Sequence, residues 1–341
     1  MVTGRAKTVG IDLGSANTLI YVQNKGIVLR EPSVVSIDIN DGSLVAVGKE
    51  AKAMIGKNPK NIQVIRPLRD GVIADFDITR IMIKHFLRSV FSNFSIRNPW
   101  VIISVPYGIT DIERRAVMEA AQQSGAKKTL LIEEPLAAAI GAGLSVEEPS
   151  GHMIVNIGAG TSEIAVISLG GIVTAASLKA AGDALDMAIY NHLKKTYRVE
   201  IGLITAENFK IQFGDAFNAS EETAHIRGID LKTGLPIAKE VSLREINSVI
   251  QDTLRDLVLA IRKVFENTPP QLASDIIEKG IVLTGGGANL KNLDKYISSK
   301  VKLAVVIPPE PEDCVALGTG KITRNTKTLT RISLMGHQNF P

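Results

Sequence analysis

The chain has 341 residues, a formal net charge of +4, 45% hydrophobic and 22% charged residues, and one cysteine, Cys314. This length is too great for one ordinary core and points to two domains or one bilobed body, and the composition excludes a globally disordered chain. The small, dispersed charge excess excludes a dedicated nucleic-acid binder, a lone thiol excludes an internal disulfide, and no stretch reaches the roughly 18 uncharged apolar residues of a membrane-spanning helix.

From the amino terminus, "MVTGRAKTVGIDLG" has no apolar signal core and runs straight into a strand, so a cytoplasmic protein is expected. Strands are predicted at 8–11, 18–22, 34–37, 44–47, 101–105, 129–132, 153–157, 162–168 and 281–283. Helical patterns lie between them. Residues 111–125, "DIERRAVMEAAQQSG", open on an acidic first turn and stop at glycine. "PLAAAIGAG" (135–143) reads as a short small-residue helix, and 242–267 as a long amphipathic one with apolar residues three and four apart. Strands alternating with helices define an α/β fold.

A weak internal repeat runs through this pattern. Residues 10–22, "GIDLGSANTLIYV", resemble residues 155–167, "VNIGAGTSEIAVI", and Asp12 matches Asn156 at a spacing of 156 − 12 = 144. Each copy is a strand, a glycine-rich turn with hydroxyls, and a second strand. Two such units imply related halves facing each other across a cleft; a chance match of two hairpins is the competing reading. In the first turn Gly14 allows a tight bend, and the amides after it, with Ser15, Asn17 and Thr18, can donate to phosphate oxygens. The turn at 158–162 can do the same from the other side. A third element, "VLTGGGANL" (282–290), is a strand ending in three glycines, where backbone can lie flat against a base or phosphate. Neither a Rossmann fingerprint nor a Walker A motif is present.

These elements, together with "IRPLRDGVIADFD" (65–77), "VPYGITDIERRAV" (105–117), "IEEPLAAAIGAGL" (132–144), "IRGIDLKTGLP" (226–236) and "DCVALGTGK" (313–321), resemble the MreB branch of the superfamily of actin, heat-shock chaperones and sugar kinases. The resemblance covers about residues 8–321. It implies an actin-like, ribonuclease-H-like duplicated fold of two lobes with an ATP cleft between them. Lobe I would span 1–150 with a small inserted subdomain at about 31–75, lobe II 151–325 with another at about 185–250, and 326–341 would be a tail. It also implies ATP or ADP with Mg²⁺ as ligands, a slow ATPase activity, and self-association into paired protofilaments at the inner leaflet of the cell membrane, with paralogous filament proteins as further partners. By position, Asp12 would organise the water shell of Mg²⁺. Gly14, Ser15, Ala16 and Asn17 would contact phosphates, as would Gly158, Ala159 and Gly160. Glu134 would position the attacking water beside Thr161. Gly182 and Asp183 would lie near the ribose, Glu207 and Lys210 near the base, and Gly285, Gly286 and Gly287 would form the adenosine-side turn. Each has a plainer reading: Glu134 as a carboxylate at a helix N-terminus, Asp12 as a turn cap, Glu207 and Lys210 as a surface pair three residues apart.

The family pattern has Asp-Ile-Gly-Gly-Gly-Thr where this chain has Asn-Ile-Gly-Ala-Gly-Thr. Ala159 is a small change if its φ is negative. Asn156 keeps the size of Asp and is expected to offer a carbonyl oxygen to a metal-bound water, but it has lost a charge. The expectation is a chain that grips ATP and hydrolyses it weakly. The alternative is a nucleotide-binding scaffold that co-assembles with an active paralogue. The role implied is cell shape, or motility in wall-less cells. Two segments suggest lipid contact: "FLRSVFSNFSIRNPW" (86–100), with Phe91, Phe94, Ile96 and Trp100 beside Arg88 and Arg97, and the tail 321–341, with four basic residues and no acidic ones.

Overall fold

The computed structural model describes residues 8–94, 99–218 and 221–322. The first half opens on an antiparallel meander of β1 (Thr8–Leu13), β2 (Asn17–Val22) and β3 (Gly26–Pro32). A small sheet follows, built from β4 (Val35–Asp38), β5 (Leu44–Val47) and β6 (Ile62–Ile65), with α1 (Lys49–Ala53) beside it; a short hairpin of β7 (Leu68–Arg69) and β8 (Val72–Ile73) comes next. Then α2 (Phe76–Phe94), β9 (Trp100–Val105), α3 (Asp111–Gln123), β10 (Lys128–Glu133) and α4 (Glu134–Gly141) complete it.

The second half repeats the plan. A meander of β11 (His152–Ile157), β12 (Ser162–Ser168) and β13 (Gly171–Leu178) leads to α5 (Gly182–His192), β14 (Val199–Glu200) and α6 (Leu203–Phe213). The hairpin β15 (Thr223–Asp230) and β16 (Pro236–Ser242) precedes α7 (Leu243–Glu266) and α8 (Pro270–Lys279); β17 (Ile281–Thr284), α9 (Leu293–Val301), β18 (Val305–Val306) and α10 (Cys314–Ile322) follow.

The two large sheets have one topology. Their strand orders are β10-β9-β1-β2-β3 and β13-β12-β11-β17-β18. The repeat extends to register: Asp12 pairs with Leu19, and Asn156 with Glu163. Every predicted strand is present, as are the three predicted helices. The third strand of each meander was not predicted. Both β3 and β13 lie at sheet edges and are only partly buried.

Alternation along the strands sorts the side chains into layers. Val9, Ile11, Leu13, Val101, Ile103 and Val105 pack outward with α2 and α3. Met153, Val155, Ile157, Ile164 and Val166 pack outward with α5, α7 and α9. The opposite faces meet in the middle, where Ile102, Leu130, Ile132, Ile154, Ala165 and Ile167 enclose α4 and α10. The long helix α7 is capped by Ser242 Oγ, which accepts from Glu245 N at 3.5 Å, and presents a fully buried stripe to its sheet.

The segment 314–322, grouped with the second lobe by its place in the sequence, returns instead to the first sheet, with α10 against α4, β1 and β2. Close approach makes this possible. A methyl on Gly141 would overlap the Cys314 carbonyl, and one on Gly318 would overlap the Ala137 carbonyl. Phe91, one of the residues expected at lipid, packs on the first core, and Trp100 opens β9 with Lys128 Nζ 4.7 Å from its ring centroid. The Phe94 side chain, Ile96, Arg97 and the tail beyond Ile322 lie outside the described residues. No helix among the described residues is long and apolar enough to cross a membrane.

Gly318→Ala forces α4 and α10 apart. It should cost about 1–3 kcal/mol, the usual range for overpacking a core, read by chemical denaturation; an unchanged midpoint would refute the crossing.

Candidate functional site

The two meander turns have the same construction. Gly14 N donates to Asn17 O at 3.1 Å, and Gly158 N donates to Thr161 O at 2.9 Å. Each turn is braced from behind. Ser33 Oγ donates to Gly14 O at 2.6 Å and lies 2.9 Å from Thr18 Oγ1. On the other side, Gly182 N and Asp183 N at the start of α5 donate to Gly158 O at 3.1 Å and Ala159 O at 2.8 Å. The amides of Ser15, Ala16, Ala159 and Gly160 have no hydrogen-bond partner among the described residues. All four residues line one cleft of about 680 Å³ between the sheets. The φ of Ala159 is not positive, so its methyl is accommodated.

Pleating also sets the cleft floor. Asp12 and Ser104 continue the inner face of the first sheet beyond Ile102, and Asn156, Thr161 and Glu163 continue that of the second beyond Ile154 and Ala165. Asp12 accepts from Ser104 Oγ at 3.3 Å, and burial lifts its pKa to about 7, against the opposing Ser104 hydrogen bond. It caps no turn. Glu134, the first residue of α4, is buried, and its pKa is raised well above the carboxylate range by burial and by the charges of Glu163 and Asp12. It is thus both a helix-terminal carboxylate and a cleft residue. Glu163 is wholly buried; its Oε1 accepts from Tyr107 N of the first lobe at 2.8 Å, and its Oε2 has no partner among the described residues. Burial lifts its pKa to about 8. The sequence reading missed Glu163, although one acid in the apolar run "SEIAVIS" is a visible signal. Among the described residues no three His, Cys, Asp or Glu side chains are gathered to hold a metal ion by themselves. Desolvated carboxylates crowded beside open amides do suit a cation carried mainly by phosphate and water.

Asn156 lines the same cleft. It is 3% exposed, and its Oδ1 accepts from Thr284 Oγ1 at 3.2 Å. One of the two lone pairs of the carbonyl oxygen expected to serve a metal-bound water is therefore engaged inside the sheet, because β17 sets Thr284 directly beside Asn156.

The far end of the cleft is closed by ions. Lys210 Nζ lies 2.8 Å from Asp186 Oδ1 and donates to Gly182 O at 3.2 Å. Glu207 does not pair with Lys210; its Oε1 meets Lys52 Nζ of the first lobe at 3.3 Å. Arg66 Nη1 and Asp183 Oδ1 are 3.5 Å apart, also across the lobes. Gly285, at φ 83°, donates its N–H to Pro311 O at 2.8 Å, beside the buried Asp313 that Arg30 holds by both oxygens. All of the predicted site residues, from Asp12 to Gly287, line this one cleft. Arg30, Arg66, Lys49 and Asp186 line it too and were not predicted; Arg66 lies in the quoted stretch 65–77 but was given no role there, and the other three are isolated charges outside any quoted motif.

Two sheets of one topology with opposed turns over a shared cleft define an actin-like protein. The crystal structure of MreB5 of Spiroplasma citri bound to ADP matches at a TM-score of 0.90 with 36% identity, over 96% of this chain and 98% of that one. The same protein bound to AMPPNP matches at 0.88 over 97% and 99%. The MamK double helical filament, 21% identical, shares the fold at a TM-score of 0.81. The model of the MreB/Mbl protein family matches residues 6–331. Cell shape-determining protein Mbl of Bacillus subtilis (strain 168) is 47% identical over 330 residues, covering 96% of this chain and 99% of Mbl. Cell shape-determining protein MreB of Escherichia coli (strain K12) is 48% identical over 319 residues, 92% of each. The chain belongs to the MreB/Mbl family and has the role of a bacterial actin homologue of the cytoskeleton.

A buried acid whose folded pKa lies above its unfolded one stabilises the fold fully at low pH and loses that contribution as pH rises. For Glu163 the window runs from 4.5 to about 8, with a limiting slope of about 1.4 kcal/mol per pH unit. Urea unfolding across this window should show wild-type stability falling more steeply than that of Glu163→Gln; parallel curves would refute the assignment.

Proposed function

We propose that the cleft binds ATP and ADP with Mg²⁺, that hydrolysis there is weak, and that the chain polymerises into paired filaments at the inner face of the cell membrane. The observation that carries the nucleotide reading is the set of open amides at Ser15, Ala16, Ala159 and Gly160, aimed into one cleft from two opposed turns. MreB5 of Spiroplasma citri, with ADP or AMPPNP in its crystals, supports the same ligand. Kinship with proteins named for determining cell shape supports a cytoskeletal role, which the filament and the membrane address extend. We take the lobes to divide near residue 150, with the small sheets of β4–β6 and β14–β16 as inserted subdomains.

In this reading the turn amides grip the phosphates, Gly182 and Asp183 flank the ribose, and Glu207, Lys210 and Gly285 to Gly287 border the base. Magnesium, when bound, supplies the positive charge that offsets the phosphates and the carboxylate floor. Asp12 would orient that cation's water shell. Glu134 orients the attacking water and receives its proton at a carboxylate oxygen, with the Thr161 hydroxyl alongside. Asn156 leaves this machinery one charge short, and transition states of phosphoryl transfer depend on charge and positioning. The same deficit favours a second reading, a scaffold that needs an active paralogue to assemble.

Sedimentation and phosphate release, measured on one sample with ATP and Mg²⁺, test these readings. Wild type is expected to pellet while releasing little phosphate, and Asn156→Asp to release it about 10²-fold faster. Equal release would overturn the weak-hydrolysis reading, and pelleting only with a paralogue would favour the scaffold. Glu134→Gln should remove the residual release without preventing pelleting.

A further inference from the structure

Asn156 has two ends in different surroundings. Its Oδ1 faces Thr284 Oγ1 at 3.2 Å, inside the sheet. Thr284 is fully buried on β17, one strand over and in register with Asn156. A buried hydroxyl proton needs an acceptor, and Oδ1 is the acceptor recorded for it. Gly285 lies against the same oxygen: a Cβ there would stand 2.9 Å from it. The other end, Nδ2, has no hydrogen-bond partner among the described residues, and Asn156 lines the cleft between the two turns.

We infer that Asn156 is locked with its –NH₂ facing the cleft, as a direct hydrogen-bond donor to the nucleotide phosphates that makes nucleotide binding largely independent of a divalent cation. This rests on the nucleotide reading proposed above. The chemistry is a reversal of polarity. An aspartate at this position would give one oxygen to Thr284 and turn the other, charged, toward the phosphates. Two facing anions need a cation between them. The amide of Asn156 presents hydrogens instead, and meets a phosphate oxygen with no ion in between. With the turn amides of Ser15, Ala16, Ala159 and Gly160 it adds to a row of donors along the cleft, while the Thr284 hydroxyl, its proton given to Oδ1, holds the amide from behind. The residue that weakens catalysis thereby also frees binding from the metal.

The test is the binding of AMPPNP and ADP to the full chain, by calorimetry, in excess Mg²⁺ and again in excess EDTA. Wild type should lose little affinity when the metal is removed. Asn156→Asp should lose about tenfold more than wild type, the scale of one hydrogen bond to a charged group. Thr284→Val, which keeps the side-chain shape and removes the hydroxyl that fixes the amide, should fall between them. Equal losses in wild type and Asn156→Asp would overturn the inference and leave nucleotide binding intact. Absence of binding in every variant under both conditions would overturn the nucleotide reading itself. If Asn156→Asp does not fold, Thr284→Val decides: an EDTA loss no greater than that of wild type would overturn the lock.

Discussion

Taking carboxylates out of water at the seam between two sheets is the constraint on which the rest of the structure depends. Asp12 and Glu163 sit on inner sheet faces lined mainly by isoleucine, leucine, valine and alanine, and Glu134 opens α4 between them. Burial raises the pKa of each. Such a floor is costly unless something arrives to compensate it, and the open amides of the two turns face the same space. Unsatisfied donors and desolvated acids at one place are the signature of a site built for an anion and its counter-ion, with stability given up there and recovered in the surrounding layers.

The layers do that work with small residues. The pair α4 and α10 separates the sheets, and their backbones meet at Gly141 and Gly318. Glu134 stands at the N-terminus of α4 and Asp313 directly precedes α10, so both helices of the central layer begin at the cleft. Arg30 ties Asp313 to β3, Tyr107 ties Glu163 to the first lobe, and Lys52 and Arg66 reach Glu207 and Asp183 in the second. Movement of one lobe against the other must therefore break charged contacts at the cleft itself.

The duplication explains which differences between the lobes matter. Leu19 in the first sheet and Glu163 in the second occupy the same register position opposite Asp12 and Asn156. The first lobe thus places its acid on the first strand of the meander, and the second places it on the second strand. With Asn156 neutral, the buried acid that the central strands of the second sheet set beside the cleft is Glu163, one strand away.

Much of this was legible in the sequence. The strands of the sheet centres and the two glycine turns follow from apolar patterning, glycine spacing and the 144-residue repeat, and the remaining site residues from the resemblance to a known family. The tertiary structure alone decided the rest, because partners far apart in sequence carry no local pattern. It returned α10 to the first sheet, since close approach at Gly141 and Gly318 depends on helices 177 residues apart (318 − 141). It paired Glu207 with Lys52 instead of its helical neighbour Lys210. It set Thr284 beside Asn156, and so determined which end of an amide the cleft receives; a side chain of fixed size and composition has no preferred face until a neighbouring strand supplies a donor.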